Sequence, residues 1–259
     1  MQSHIRIATA HRHNKTVCDD IYCTSPYKIV MPLSEDTATH IVVLSSSAGL
    51  LQGDTVHMDV DFGAHSHALL STQSYEKVFD TQDGCAKKEL SIRVGDHAHV
   101  RYLPQPTIPF ANSRYACTAH MHLAPNSTFF YSDIVSCGRV FMGERFCMQS
   151  FQSRAYVYLN DTVVFADNTC IIPKRWDYTK LGLWHDFTHN GLLYAFFPTQ
   201  AEENAFIALA RQKATEMVPH CAVGVSNAQR GICVRVLGDS GQKIYEYFSS
   251  IAAMCPSLA

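Results

Sequence analysis

The amino-acid sequence predicts a mainly β protein: a β-helical, solenoid-like stack of strands with two α-helices in the C-terminal part. Three observations carry this expectation. First, Val56, Met58, Val60 and Phe62 alternate with His57, Asp59 and Asp61, the period-two pattern of a strand with one buried and one wetter face. Second, a strand–turn–strand unit recurs at 60–70, at 92–102 and, more weakly, at 121–131. Gly63 and Gly95 stand 32 positions apart, and Ala124 lies 29 further on. A near-constant period of this size marks a stacked architecture, because one such unit cannot bury its apolar face alone. Third, helical spacing occurs only late in the chain.

In chain order, residues 1–24 are polar and His-rich and read as a strand start with a loose lead. Pro26 to Leu33 and Thr39 to Leu44 are strands by their β-branched content. Gly-marked turns follow at Ala48-Gly49 and Gln52-Gly53, and then the repeats begin. Between the second and third copies, Leu103 to Phe110 carries prolines at 104, 106 and 109. Those prolines remove ladder donors, so the stretch reads as an extended edge or crossover. Phe146 to Leu159 and Thr162 to Ala166 form a strand pair turning at Asn160-Asp161. Residues 173–190 read as a loop with a short helix, and Gly191 to Phe197 as a buried strand. Thr199 to Met217 is a helix with Ala205, Ile207, Leu209 and Met217 on its apolar side and Glu202-Glu203 in its first turn. Strands at Cys221–Val225 and Ile232–Leu237 precede a last helix after Asp239-Ser240, with Ile244, Tyr247, Phe248, Ile251 and Met254 at helical spacing. Nothing divides the chain, so one domain spanning 1–259 is expected.

Composition narrows the function classes. A hydrophobic fraction of 47% with a charged fraction of 17% is globular. A net charge of -2 provides no basic footprint for nucleic acid. The first residues lack the apolar core of a signal peptide, and no apolar run approaches a membrane span. A soluble, cytoplasmic protein with reduced thiols is therefore expected. Of the ten cysteines, Cys117, Cys137, Cys147 and Cys170 sit among apolar neighbours and read as small core residues.

Catalytic signatures are absent: no phosphate-binding Gly-rich loop with Lys-Ser/Thr, no dinucleotide fingerprint, no His-Glu-x-x-His and no nucleophile elbow. Two patterns retain chemical interest. His-x-His occurs at His11/His13, His65/His67, His97/His99 and His120/His122. On a strand such pairs share a face about 6–7 Å apart and can begin a nickel or zinc site. The second pattern is a set of turn-proximal acids, Asp54, Glu76, Asp80, Asp133, Glu144 and Asp167, which in a β stack could line a polar passage for a hydrated divalent cation. Each taken singly reads more readily as a solvated surface or turn carboxylate, and Glu144 equally as the structural partner of Arg139.

Four stretches then match a known family in order: Ser47 to Asp54, Thr72 to Val78, Leu103 to Phe110 and Gly138 to Glu144. They resemble the successive signatures of the urease accessory protein family UreD, called UreH in Helicobacter, and the resemblance covers roughly Pro26 to Met254. Ala48 and Gln52 stand where the family usually has glycine, as in the Helicobacter branch, while Gly49 and Gly53 keep the backbone role.

The resemblance implies a β-helical fold with two helices and a non-catalytic chaperone role in nickel insertion into apo-urease. It implies binding to the helical accessory protein UreF, and through it to the GTPase UreG, in a homodimeric arrangement. It implies no tightly bound cofactor and nickel in transit through an internal tunnel, for which Asp54, Glu76, Asp80 and Glu144 are the candidate lining carboxylates. Two other readings stand beside it: a cupin-like metalloenzyme using His65/His67 with Glu76, and a β-rich interaction module of another pathway.

Overall fold

The computed structural model describes residues 1–31, 38–217 and 220–254. The chain opens with β1 (Gln2–Arg12) and β2 (Lys15–Cys23), an antiparallel hairpin, then β3 (Tyr27–Val30) and β4 (Thr39–Ser45), a second one. It then coils. β5 (Thr55–Phe62), β6 (His67–Thr72) and β7 (Glu76–Val78) make one coil, and β8 (Ala86–Val94), β9 (His99–Leu103) and β10 (Thr107–Pro109) the next. β11 (Arg114–Leu123) and β12 (Thr128–Ser136) make a third, and β13 (Ser150–Leu159) starts a fourth. β14 (Thr162–Ile171) folds back on β13 through Asn160 and Asp161, both at positive φ as a two-residue hairpin turn demands. β15 (His189–Phe196), α1 (Gln200–Ala214), β16 (Cys221–Asn227), β17 (Ile232–Gly238) and α2 (Gly241–Ala253) complete the chain.

The first sheet runs β14-β13-β11-β8-β5-β1-β2, with β1, β5, β8, β11 and β13 all parallel. The second runs β16-β17-β15-β12-β9-β6-β4-β3, with β4, β6, β9 and β12 parallel. The short strands β7 and β10 pair with each other as a third side. The solenoid expectation is therefore met, and the reason is the register. Successive coils align side chains into rows pointing inward: Val60, Ile92, Met121 and Val157, then Met58, Leu90, Ala119 and Ala155. All eight are buried.

The corners repeat with the rows. The amides of Gly63, Gly95 and Ala124 donate to the carbonyls of Thr9, Phe62 and Val94 on the preceding coil, at 3.0, 2.8 and 2.9 Å. At this corner the coils approach so closely that a Cβ on Gly63 would meet the Thr9 carbonyl oxygen at 2.6 Å, and one on Gly95 the Ala64 backbone nitrogen at 2.6 Å. Only glycine allows that approach without moving backbone.

The second sheet is buried on both faces. Phe129, Tyr131 and Val135 of β12 face the solenoid core, while Phe130 and Ile134 join a second core beneath the helices. The near-continuous apolar run of β12 is what such a doubly covered strand requires. α2 lays Ile244, Tyr247, Phe248 and Ile251 into that second core. The apolar side of the last helix is thus core. α1 starts with a complete capping box, Thr199 and Glu202 exchanging hydrogen bonds with each other's backbone amides.

Several elements differ from expectation. Residues 1–24 hold the expected strand but no loose lead: β1 begins at Gln2, is the parallel neighbour of β5 and buries Ile5 and Ile7. The strand expected over Pro26 to Leu33 is Tyr27–Val30, and residues 32 and 33 lie outside the described ones. β13 starts at Ser150, because Phe146 has positive φ and cannot continue a strand. Residues 173–188 fold as turns and loop without the expected helix, and residues 189 and 190 already belong to β15. α1 buries Glu203, Phe206 and Ala210, with Ala205 exposed; the Glu203 carboxylate accepts the Gly231 amide at 3.0 Å, which offsets its burial. Met254 caps α2 and is exposed.

The corner geometry makes a stability prediction. Gly95→Val should cost about 2 kcal/mol by overpacking. Gly224→Val, where a Cβ meets nothing within 4 Å, should stay within about 0.5 kcal/mol of the parent. Urea unfolding of the two variants checks the difference.

Candidate functional site: an axial cavity

The inward rows are apolar until one level of the stack. There the first sheet reads Val56, Lys88, Cys117 and Ser153 across four adjacent strands. The facing row of the second sheet reads Leu70, Tyr102 and Tyr131, and Asp133 lies two residues beyond Tyr131. Small and polar side chains fail to fill the space that Ile, Met and Leu fill elsewhere. A cavity of about 180 Å³ results. Its lining comes from β1 (Ile5), β5 (Val56, Met58), β8 (Lys88, Leu90), β11 (Tyr115, Cys117) and β13 (Ser153), five adjacent strands of one sheet. It therefore runs along the stacking axis across four strand spacings, roughly 19 Å.

One end is open: Ser45, Ser47, Ala48 and Ser74 line the cavity and are exposed. The lining also carries charge. Lys88 Nζ donates to Glu76 Oε2 at 3.0 Å, with the two side chains 12% and 20% exposed. Tyr115 Oη donates to the same carboxylate oxygen at 3.4 Å. Ser153 Oγ donates to Asp133 Oδ2 at 2.5 Å. Burial opposes the charge on Lys88, but Glu76, followed by Tyr102, Tyr27 and Cys117, outweighs it and holds the ammonium well above the ordinary lysine range. Burial pushes the Asp133 carboxyl up, against a lowering by the Ser153 hydroxyl. Burial also raises the Cys117 thiol to about 12 and the Tyr102 phenol to about 12.

The third side of the solenoid closes this cavity, and all four family-like stretches build it. Leu50 amide donates to Lys77 carbonyl at 2.8 Å and Phe79 amide to Leu50 carbonyl at 2.9 Å, docking the first stretch on the second. Gly49 sits so close to Lys77 that a Cβ there would meet the Lys77 carbonyl oxygen at 2.5 Å. Glu76 amide donates to Pro106 carbonyl at 3.0 Å, docking the second on the third. Arg139 lies 4.4 Å over the Phe110 ring and pairs with Glu144, which accepts the Ala111 amide at 3.3 Å. That docks the fourth on the third.

Comparison with known proteins identifies the family. The sequence matches the family described as UreD urease accessory protein over residues 1–259. The chain belongs to the UreD family of urease accessory proteins. It is 30% identical to urease accessory protein UreH of Helicobacter hepaticus over 240 residues, 93% of this chain and 92% of that one. Against urease accessory protein UreD of Acetivibrio thermocellus it is 30% identical over 246 residues, 94% and 93% of the two chains. Against UreH of Helicobacter pylori it is 30% identical over 176 residues, 68% and 66%.

Of the four carboxylates expected from this UreD-like pattern, Glu76 lines the cavity. Asp54 ends the first stretch, accepting from the N-terminal ammonium at 2.8 Å and from the Leu51 amide at 2.8 Å. Asp80 is exposed and accepts the Gln82 amide at 2.7 Å and Asn112 Nδ2 at 3.0 Å, contacts that hold its carboxyl below the ordinary range. Glu144 is likewise lowered, by Arg139 first. Lys88 and Ser153 are lining residues that sequence reasoning did not name, while Asp133 stood among the six acids and Cys117 among the core cysteines. Each sits at an inward parity position: Lys88 between Ala86 and Leu90, Cys117 between Tyr115 and Ala119, Asp133 between Tyr131 and Val135, Ser153 between Phe151 and Ala155. A polar residue at the buried parity of a strand is the signal that finds them.

The histidine pairs do not assemble as a cupin-like site. His13, His65 and His97 lie in turns at positive φ, so only His120/His122 occupies one strand face. His65 is exposed and stacks on His97 at 5.2 Å between ring centroids, and His67 meets His99 at 4.7 Å. None of these lines the cavity that holds Glu76, so His65, His67 and Glu76 are not brought together. Among the described residues no three His, Cys, Asp or Glu side chains converge to hold a metal ion. The cysteine expectation holds for Cys137, which is buried; Cys117 lines the cavity, and Cys147 and Cys170 are exposed because they fall in a loop and on the edge strand β14.

Asp133 provides a pH prediction. A carboxyl whose folded pKa is raised favours folding below its unfolded value of about 3.9, and that contribution is lost as pH rises through the folded value. Asp133→Asn should therefore gain stability relative to the parent as pH rises from 4 towards 7. Melting temperatures across that range check it; a difference that does not change with pH contradicts it.

Proposed function

We propose that this chain is a non-catalytic scaffold of urease maturation that passes nickel to apo-urease through its axial cavity. The observation that carries the reading is a hollow with two acidic groups, Glu76 and Asp133, inside a member of the UreD family, lined in part by the first three of the stretches that carry the resemblance. Carboxylates, hydroxyls and a thiol are ligands a borderline divalent ion accepts. Their sparse placement suits a hydrated ion in transit more than a resident cofactor. The sequence carries no phosphate loop, so nucleotide hydrolysis falls to a partner. The partners we propose are UreF and, through it, UreG and apo-urease, in a homodimeric arrangement built on the UreF complex, with the chain acting as one unit in the cytoplasm. Among the described residues no helix is long and apolar enough to cross a membrane.

Asp54, Asp80 and Glu144 extend the proposed route beyond the cavity itself. Cells expressing urease with its accessory proteins test the reading. Glu76→Gln with Asp133→Asn should lower the nickel content of urease while the accessory complex still co-purifies. The same assay on Asp54→Asn, Asp80→Asn and Glu144→Gln separates route from wall: a wall residue loses the complex as well. Unchanged nickel loading when this protein is deleted refutes the reading.

A further inference from the structure

Three consecutive coils carry the charged groups of the cavity in a fixed order. Glu76 belongs to the coil of β5–β7, Lys88 to that of β8–β10 and Asp133 to that of β11–β12. The middle position, between two carboxylates, is therefore already occupied by a cation. Its ammonium is 3.0 Å from Glu76 Oε2 and has Cys117 as its row neighbour on the next strand. An acidic pair in a water-poor enclosure would hold a divalent ion tightly, since Coulomb attraction grows as the effective dielectric falls. Passage needs the opposite: entry must be favourable, yet release must remain easy.

We propose that Lys88 is a tethered counter-ion of this passage, whose ammonium holds the cation position beside Glu76 so that a divalent ion exchanges through rather than staying. This rests on the passage reading. An entering ion displaces the ammonium from Glu76, and the ammonium, which cannot leave, competes the ion back off the carboxylate. The side chain is long enough to swing between its neighbours and carries a compact point charge, which is what such a competitor requires. No bond is made or broken.

The inference is tested on the full-length protein with nickel ion alone. Lys88→Met and Lys88→Gln should bind a single nickel ion at least about tenfold tighter than the parent, a difference of roughly 1.4 kcal/mol. Lys88→Arg and the double variant Lys88→Met with Glu76→Gln should bind as the parent does. Removing one partner of a buried pair is destabilising, and a neutral variant that unfolds when metal-free is read by its response to nickel. Refolding of such a variant by nickel supports the assignment through ligand linkage. A folded neutral variant with parental nickel affinity overturns it, and so does an unfolded one that nickel fails to rescue. Either failure leaves the passage reading to the urease-loading assay of Glu76→Gln and Asp133→Asn, which does not involve Lys88.

Discussion

Coil-to-coil backbone pairing sets everything else in this molecule. Because β5, β8, β11 and β13 are parallel and in register, residues about thirty positions apart in sequence become neighbours in one row. The core is then decided row by row. Rows of Ile, Val, Met and Leu pack to solid density, and the row holding Lys88, Cys117 and Ser153 does not. The cavity is the consequence of one polar row in an apolar stack, and its axial direction follows from the stacking direction. A shift of one residue in register would turn every inward side chain outward, so the close glycine corner at Gly63 and Gly95 protects the site as well as the fold.

The charged groups inside this stack are costly to bury, and each has a specific partner. Lys88 and Glu76 satisfy one another, Tyr115 adds a donor to Glu76, and Ser153 donates to Asp133. A solid apolar core would be the more stable solution at this level, since buried ion pairs rarely outperform hydrophobic packing. Retaining them there is intelligible if the interior must admit something polar and charged. The short third side, built by β7 and β10 and locked by Arg139 and Glu144, leaves the mouth beside Ser47 and Ser74 instead of sealing it.

Much of this was legible before any coordinates. The 32- and 29-residue spacings of Gly63, Gly95 and Ala124 announced stacked coils, and the alternation from Val56 to Phe62 announced which side faces in. The four family-like stretches were found in order, but their physical role, a single wall, needed the third side of the solenoid to be seen. The start of the first strand is legible, but its length is not, because its alternation of Ile5 and Ile7 with charged and polar residues is diluted by histidines. The expected carboxylates were picked for lying near turns, whereas the cavity recruits residues from strand interiors at the buried parity. Glu76 and Asp133 meet both conditions, and Lys88 only the second. His-x-His spacing misled in a related way, since i and i+2 share a face only on a strand and three of the pairs straddle a corner.

The central claim is that a small ion can reach the interior of the stack from the mouth. Cys117 and Cys137 offer an internal comparison, because the first lines the cavity and the second is buried in the core outside it. Crystals of the unmodified protein soaked in methylmercury measure access directly through anomalous occupancy at each sulfur. The account predicts strong occupancy at Cys117 and none at Cys137. Equal protection of the two thiols would contradict it.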